Sequence, residues 1–516
     1  MPVFTSIKKN IYWDSLQVLY TTSIFTECEG IEAGLVIMGS SAGKAALEEL
    51  DLLTKEAGTA RDMDLIFAGR AHSEEAFLAA VEFVLGQNQK VSAGENRPAY
   101  TSASAALEQH SNVNICTIAV PGEYAREETE KALNAGLHCV VFSNNVSLAD
   151  ERAMKELARE KGLLCMGPDC GVANINGYAM VLGSITNRGP FGICGASGCG
   201  IQHVAAILHK CGSGISQGIG TGGSDLKDEV GGITMLMGID ALEQDPETKY
   251  IVLISRSPGQ EVLQKLLARI GQCTKPVVAC LMGSDAQMVQ ASGAVWASDL
   301  DDCAQKALAL IGKENRFETE EEILEMAQKA IQNMSPEQKY VRGAYLGGTY
   351  CDEAMKAMQE KIGGIHSNCP LSPELKLADS AKSVGNAVID YGEEEFTLGR
   401  PHPTIDPSVR KPAILREAAD PETAVLLMDF ILTPAGPDEP VGSVILDILA
   451  AKEQAKSRGG DLAVVASVLG TDADLQNRHH QVQLLRQAGV LVCGTNYRAA
   501  LLAGEIIRQK KERDLK

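Results

Sequence analysis

A strand, a glycine-rich turn and a helix follow one another between residues 192 and 223, and no other stretch constrains the fold as strongly. The sequence there is GICGASGCGIQHVAAILHKCGSGISQGIGTGG. An apolar strand that enters a glycine turn and then a helix is typical of parallel α/β sheets. Such a turn directs free backbone N–H groups and the positive end of the helix dipole towards an anion. The stretch therefore predicts a phosphate-binding turn or, in the alternative reading, a tight connection without a ligand.

Apolar strands alternate with helical segments along the rest of the chain. Examples are the strand sequences AGLVIM at 33–38, CVVF at 139–142 and YIVLIS at 250–255. Only 4% of the 516 residues are aromatic, which suits parallel α/β layers better than a β-sandwich. We therefore predict an α/β protein of three doubly wound parallel-sheet domains, Rossmann-like or flavodoxin-like. The predicted boundaries are 1–185, 186–312 and 340–516, with a linker helix over 313–339.

The third predicted domain repeats the second. VRGAYLGGTYCDEAM at 341–355 has the same strand, glycine and helix order as the opening stretch. The tetrapeptide DPET precedes a strand at both 245–248 and 420–423, and LAVVASVLG at 462–470 parallels PVVACLMG at 276–283. The order of these elements predicts a duplicated flavodoxin-like unit. Two such units could face each other and direct two helix N-termini at one anion.

Charge and cysteine usage exclude several classes of function. The net charge of −20 argues against a nucleic-acid partner, because phosphate backbones require clustered Lys and Arg. The 14 cysteines form no CxxC pair, so we expect reduced thiols and no metal site. The first residues lack the apolar segment of a signal peptide, and no apolar run has the length of a membrane span. We expect a cytoplasmic protein that binds neither membrane nor nucleic acid.

The densest group of polar residues follows the strand AVID, in the sequence DYGEEEFTLGRPHPTIDP at 390–407. Asp390, Arg400 and His402 are the candidate catalytic residues there, since Arg can bind a carboxylate or phosphate and His can transfer protons. His402 could instead cap a turn. Asp225 is a further catalytic candidate, because α/β ligands bind where parallel strands end.

Other candidates follow predicted strand ends. Thr471 and Asp472 come directly after the strand ending VLG, and Asp169 lies in the turn GPDCG; we predict that these three residues bind substrate. Asp225 and Asp472 could equally be helix N-caps, and Asp169 an ordinary turn residue. The residues predicted to bind a phosphate-type anion are Ser197, Gly198, Cys199, Gly200, Gly222, Gly223, Gly347, Gly348 and Thr349.

Several of these motifs resemble a known family. VPGEYAREETEKALNAGLHCVVFSNNVSLADE (120–151), KGLLCMGPDCGVANING (161–177), GASGCGIQ (195–202) and GIGTGGSD (218–225) resemble the α subunit of succinyl-CoA synthetase. The agreement is closer to the FdrA branch, whose features here are IKKNIYWDSLQVL (7–19), GGTYCDEAM (347–355), GRPHPTIDP (399–407) and VLGTD (468–472). The resemblance implies a CoA-binding-type domain, a ligase domain, and a third domain like the carboxy-terminal part of the synthetase β subunit.

The chain departs from the synthetases in ways that bear on mechanism. In them, the strand corresponding to PVVACLMG is followed by a histidine that carries the phosphoryl group, whereas residues 284–298 read SDAQMVQASGAVWAS. The synthetase ATP-binding domain has no counterpart here, and the CoA loop is reduced to MGSSAG (38–43). CoA is therefore a possible but doubtful ligand, and a phosphohistidine relay is ruled out at this position.

The FdrA resemblance implies a component of oxamate carbamoyltransferase in allantoin catabolism, which converts oxalurate and phosphate into oxamate and carbamoyl phosphate. In this hypothesis Ser197, Gly198 and Cys199 bind phosphate, Arg400 binds a carboxylate, and His402 or Asp225 assists proton transfer. Phosphate and carbamoyl phosphate are then substrates, and partner subunits and a homo-oligomer are expected. Two alternatives remain open: an ADP-forming acyl-CoA synthetase, and a non-catalytic assembly subunit.

Overall fold

The computed structural model describes residues 2–9, 11, 13, 18, 21, 22, 24–26, 28–94, 103–397 and 402–515. Contacts divide the chain into two compact units. The first unit comprises Met1–Asn114, Ala119–Pro121 and Glu394–His402. The second comprises Ile115–Ile118, Gly122–Glu393 and Pro403–Lys516.

The described elements include 19 strands, most of them separated by helices as predicted, although four strands follow one another without a helix between residues 165 and 195. The strands are β1 Val3–Lys8, β2 Ile31–Met38, β3 Leu65–Ala71, β4 Ile115–Ile118, β5 His138–Val141, β6 Cys165–Met166, β7 Val172–Ile175, β8 Tyr178–Val181, β9 Arg188–Gly195, β10 Ile215–Gly220, β11 Tyr250–Ser255, β12 Val277–Leu281, β13 Val295–Trp296, β14 Tyr340–Tyr345, β15 His366–Ser367, β16 Ala387–Asp390, β17 Thr423–Ile431, β18 Ala463–Leu469 and β19 Leu491–Cys493.

The helices are α1 Ser41–Glu49, α2 Glu74–Gly94, α3 Ala103–Gln109, α4 Gly122–Asn134, α5 Leu148–Lys161, α6 Gly198–Lys210, α7 Ile233–Gln244, α8 Gln260–Ile270, α9 Ala286–Ala291, α10 Leu300–Ala309, α11 Glu320–Ala330, α12 Gly348–Ile362, α13 Glu394–Thr397, α14 Lys411–Ala419, α15 Gly442–Ser457, α16 Arg478–Gln487 and α17 Asn496–Asp514. Among them, no helix is both long and apolar enough to cross a membrane.

The sheet of the first unit has the order β1-β3-β2. The central strand β3 pairs antiparallel with both neighbours, and Phe25, Phe67 and Phe77 pack together in the core beside it. The prediction of a parallel, doubly wound sheet is therefore wrong for residues 3–71. The connection over residues 39–64 includes helix α1 and is long enough for β3 to begin at either end of β2. The alternation of strands and helices therefore did not determine whether β3 runs parallel or antiparallel to β2.

The second unit contains two large sheets. One has the order β13-β12-β11-β9-β10-β7-β8, and the other has the order β15-β16-β14-β17-β18-β19. Counted from β9, the first sheet contains the flavodoxin-like order 2-1-3-4-5 with parallel pairing. The second sheet has the same order when it is counted from β14 without the short strand β15, which pairs with β16 at the edge. This shared strand order is the one that a duplicated flavodoxin-like unit requires. A smaller parallel sheet, β4-β5-β6, belongs to the same unit.

One hydrophobic cluster joins the two large sheets. It contains Ile193 of β9, Val204 of α6, Val341 of β14 and Ala354 of α12, each buried. Helices α6 and α12 each present an apolar face to this cluster, and β-strand residues alternate between it and the cluster on the opposite sheet face. The repeats therefore share a core, which brings the ends of β9 and β14 towards each other.

Candidate anion-binding site at paired helix N-termini

Helix α6 begins in the glycine-rich turn that was predicted to bind an anion. Ser197 caps the helix: its Oγ accepts a hydrogen bond from the Gly200 N–H at 2.9 Å. The same Oγ donates to Thr349 Oγ1 at 2.9 Å, although the two residues lie 152 positions apart. Because Thr349 lies in the first turn of α12, this bond brings two helix N-termini together.

The turn that precedes helix α12 is held in place by hydrogen bonds to Asp429 of β17. Asp429, fully buried on β17, accepts hydrogen bonds from the Leu346 N–H at 2.8 Å and from the Gly347 N–H at 3.1 Å. The Arg410 guanidinium, also fully buried, lies 3.5 Å from Asp429 Oδ1. Gly347 leaves room for the facing helix, because a Cβ there would lie 2.7 Å from Cys199 Sγ.

Arg256 supplies a cationic side chain at this site. It follows directly after β11, and its Nε lies 3.1 Å from Asp352 Oδ2 of α12. A Cβ on Gly348 would lie 2.3 Å from Arg256 Nη2 and 2.6 Å from Asp390 Oδ2. Arg256 and Asp390 therefore both reach the first turn of α12, where only a glycine leaves them this space.

The carboxyl groups around Arg256 are shifted towards their neutral form. Burial raises the pKa of Asp390 to about 7, although a hydrogen bond from the Gly392 N–H and the charge of Arg256 oppose this effect. Burial likewise raises the pKa of Asp169 and of Asp429 to about 6. A carboxyl with a pKa near 7 is suited to general acid–base catalysis, since both protonation states are populated at neutral pH.

Cys199 does not have the properties of a reactive nucleophile. Burial, reinforced by the carboxylates of Asp429 and Asp390, raises the pKa of its thiol to about 12. The thiol is therefore protonated at neutral pH, and thiolate chemistry is not available to it. Its backbone N–H, in the first turn of α6, remains the group predicted to face an anion.

The structure also places the remaining residues that were predicted to bind anion or substrate. Gly222 and Gly223 follow β10, and Asp169 Oδ2 would lie 3.5 Å from a Cβ on Gly223. The charge of Arg256 lowers the pKa of Asp169, although burial has the larger, opposite effect. Thr471 and Asp472 line a separate cavity of the same unit.

Asp225 makes the contacts of a structural residue. Its side chain is fully buried, and its oxygens accept hydrogen bonds from the Thr234 N–H at 3.1 Å and the Met235 N–H at 2.9 Å in the first turn of α7. Lys155 Nζ, also fully buried, lies 2.7 Å from Asp225 Oδ1. These contacts are those of the helix-capping alternative, in which Asp225 supports the fold rather than the chemistry.

The loop after β16 holds two further catalytic candidates, Arg400 and His402. Arg400 lies outside the described residues. His402 belongs by its contacts to the first unit, and burial lowers its pKa to about 4. Among the described catalytic candidates of the second unit, Asp390 lies beside the paired helix N-termini, whereas Asp225 lies at the first turn of α7.

One group of potential metal ligands occurs among the residues that the structure describes. The group consists of Cys369, Asp390 and Glu393, each of which offers one ligand atom, and these three atoms lie within 4.8 Å of one another. The positive charge of Arg256 acts on Asp390 and on Cys369, which opposes cation binding there. The group overlaps the candidate site, and a metal ion is not required for the contacts described above.

Sequence reasoning missed Arg256 and Asp429. Each carries a visible signal: Arg256 is the first polar residue after the buried strand YIVLIS, and Asp429 is the one acid within the buried strand TAVLLMDFI. A charged residue in or at the end of an apolar parallel strand destabilises the fold unless it is paired. Both positions are therefore recognisable from the sequence as candidate site residues.

Comparisons with known proteins match two families to different parts of the chain. The family described as CoA-ligase matches residues 344–506. The family described as AllF, heavy metal-associated domain, matches residues 1–101. The CoA-binding-type domain expected over residues 1–185 stays a prediction. Residues 1–101 contain a single cysteine, Cys28, so no pair of thiolates is available there for a soft metal.

Individual relatives cover different parts of the chain. The chain is 39% identical over 516 residues to the uncharacterized protein YahF of Escherichia coli strain K12, covering 99% of this chain and 100% of that relative. It is 30% identical over 194 residues to an ADP-forming succinate–CoA ligase subunit alpha of Archaeoglobus fulgidus, covering 37% of this chain and 64% of that relative. It is 28% identical over 209 residues to the ADP-forming sulfoacetate-CoA ligase subunit SqwL of an Acholeplasma species, covering 39% and 68%.

Proposed function

The chain belongs to the family of the E. coli protein YahF, and from that premise we propose that it is an enzyme of the CoA-ligase type that binds the phosphate of an acyl phosphate between the N-termini of α6 and α12. The observation that carries this proposal is the Ser197–Thr349 hydrogen bond of 2.9 Å, which brings the two helix ends together. First-turn N–H groups of both helices have no intrahelical partner and attract anions.

The proposed reaction is acyl transfer from phosphate to the thiol of CoA. The sulfur attacks the acyl carbon, a C–S bond forms, and the C–O bond to phosphate breaks with its electron pair leaving on the phosphate. The thiol proton passes to a base. Ligases named for succinate, sulfoacetate and malate occur among the relatives, which supports a small carboxylic acid as the source of the acyl group.

The residues of this chain have distinct roles in the proposal. The helix N-termini and Arg256 stabilise the negative charge of the leaving phosphate. Asp390, whose pKa burial raises to about 7, accepts the thiol proton. The reaction uses no phosphohistidine, in keeping with the absence of histidine from residues 284–298. Formation of the acyl phosphate is assigned to partner subunits.

The test uses the full chain with acetyl phosphate and CoA. Thioester formation is followed by absorbance, and Arg256→Gln is compared with the wild type. We expect kcat/KM to fall by about 10²-fold or more, because an anion-stabilising group is lost. Arg269→Gln is the matched control, since Arg269 pairs with the exposed Asp240 on the surface. Thioester formation that survives Arg256→Gln would refute the assignment of Arg256.

A second candidate is carbamoyl transfer. A phosphate oxygen attacks the carbamoyl carbon of oxalurate, the C–N bond to oxamate breaks, and the released nitrogen takes up a proton. The missing histidine suits this reaction as it suits the first, because inorganic phosphate enters directly and no phosphoryl relay is required. Carbamoyl phosphate formed from oxalurate and phosphate, without thioester formation from acetyl phosphate, would select this candidate.

The third candidate, a non-catalytic assembly subunit, makes a different prediction. The activity of the assembled complex would then be unchanged by Ser197→Ala combined with Arg256→Gln. Homo-oligomer formation and binding of partner subunits remain predictions in all three cases.

A further inference from the structure

A cavity in the second unit is lined by residues other than those that meet at the paired helix ends. Its volume is about 280 Å³, and it is bounded by helix α6, the C-terminal end of β18 and the N-terminus of α17. Thr471 and Asp472, which were predicted to bind substrate, line it. The cavity and all of its lining residues belong to the second unit.

Two cationic side chains, Arg478 and Lys210, line this cavity. The carboxylates of Asp301, Glu318 and Glu353 lie behind the lining, where they accept hydrogen bonds from Thr495, Gly494 and Asn496. Arg478 is half-buried, and its Nε donates to the Val468 carbonyl at 2.9 Å, which orients the guanidinium. Lys210 lines the cavity from the end of α6, and the 19-residue helix α17 begins at Asn496 in its wall. The acidic residue in the lining, Asp472, already accepts a hydrogen bond from the His479 N–H at 2.8 Å. The cavity is therefore suited to an anion.

Two buried polar atoms in the wall have no hydrogen-bond partner among the described residues. They are Ser467 Oγ and Asn496 Oδ1, on residues that are 2% and 1% exposed. Asn496 Nδ2 donates to the Tyr350 carbonyl at 3.0 Å and to Glu353 Oε2 at 2.8 Å, so the amide oxygen is left as an acceptor without a donor. Buried polar atoms of this kind normally have partners.

Ser467 is directed towards the cavity by the geometry of its strand. Side chains alternate between the two faces of β18, so Ser467 shares a face with Val465 and Leu469. Both of these residues pack in the hydrophobic cluster that contains α6 and α12, which is the side where the cavity lies. The serine hydroxyl can donate or accept, whereas Asn496 Oδ1 only accepts.

We propose that this cavity binds a small organic anion that carries a hydroxyl or amide donor. The negative charge of the ligand is bound by Arg478, Lys210 and the N-terminus of α17. Its hydroxyl or amide group donates hydrogen bonds to Asn496 Oδ1 and Ser467 Oγ. The proposal is independent of the reaction at the paired helix ends, because it concerns binding at a different set of side chains.

The test compares two dicarboxylates that differ by one hydroxyl group. Malate and succinate are titrated into the full chain by calorimetry, without CoA, nucleotide or phosphate. We expect malate to bind about tenfold more tightly, because only malate offers a donor to a buried acceptor. Ser467→Ala combined with Asn496→Leu should abolish this preference, and Lys210→Gln should weaken the binding of both ligands.

Variants at the other site separate the two proposals. Arg256→Gln should leave malate binding within twofold of the wild type, whatever its effect on thioester formation. Because Lys210 is exposed, Lys210→Gln should retain the melting temperature of the wild type, so a loss of binding is not a loss of folding. The inference is overturned if malate shows no saturable binding, if succinate binds equally well, or if Arg256→Gln abolishes binding while Lys210→Gln does not.

Discussion

Asp225→Asn tests whether this residue supports the fold rather than the chemistry. The carboxylate is fully buried between Lys155 and the first turn of α7, with Lys155 Nζ at 2.7 Å. Lys155 Nζ also contacts Glu151 Oε1 at 2.7 Å and the Thr221 carbonyl at 2.8 Å. The asparagine amide would keep one oxygen as an acceptor. Its NH₂ group would face either a backbone N–H of α7 or Lys155 Nζ, both of which are donors.

The expected loss follows from two contributions. Weakening a helix cap costs about 1 kcal/mol. Breaking a buried ion pair costs about 3–5 kcal/mol, but Glu151 and the Thr221 carbonyl retain part of the stabilisation of Lys155. We therefore expect Asp225→Asn to lower the free energy of unfolding by about 3 kcal/mol. Lys155→Met leaves two buried carboxylates without their cation, so we expect a loss of about 3–5 kcal/mol.

Urea unfolding of the full chain, with hydrogen exchange of peptides from α5 and α7, assigns the loss to this part of the second unit. Asp240→Asn is the control, since Asp240 is 53% exposed in its pair with Arg269 and should contribute less than about 1 kcal/mol. If Asp225→Asn unfolds within about 1 kcal/mol of the wild type yet abolishes activity, the structural assignment is wrong and the catalytic one is restored.

Three further outcomes are expected. Gly222→Ala should destabilise the chain more than Gly231→Ala in urea unfolding: both glycines have positive φ, but only at Gly222 would a Cβ meet a backbone oxygen, at 2.0 Å from the Pro168 carbonyl. Burial raises the pKa of Glu353 to about 7, above its unfolded value. Its contribution to stability is therefore complete at low pH and is lost as the pH rises through 7. Glu353→Gln should reduce this pH-dependent fall in melting temperature when melting is measured between about pH 5 and 8. Ser197→Ala should cost about 1 kcal/mol through loss of the α6 cap and should weaken phosphate binding in calorimetry, an expectation contradicted if binding is unchanged.

Local sequence patterns were sufficient for the parts of the fold that depend on neighbouring residues. The apolar strand, glycine turn and helix at 192–223 were readable because strand and helix periodicities, and the need for a small residue in a tight turn, are properties of a short segment. The duplication was readable because the same short patterns recur in the same order. Asp390 was selected for a similar reason, since it ends a recognisable strand at the edge of a parallel sheet where ligands bind.

Other features depended on contacts between distant residues. The antiparallel pairing of β1 and β2 with β3 follows from the path of long connections, which periodicity does not encode. The role of Asp225 depended on Lys155, which is 70 positions away and completes a buried ion pair only in the folded chain. The same holds for Arg256, whose place beside Gly348 and Asp390 requires the two repeats to pack against each other.

Residues 192–223 therefore determined by themselves a helix N-terminus able to attract an anion, because the dipole and the free N–H groups arise within one segment. Only the tertiary structure decided that a second helix N-terminus meets it, through Ser197 and Thr349 across a separation of 152 residues. The physical reason is that hydrophobic burial between the repeats, rather than any local preference, selects which turns face each other.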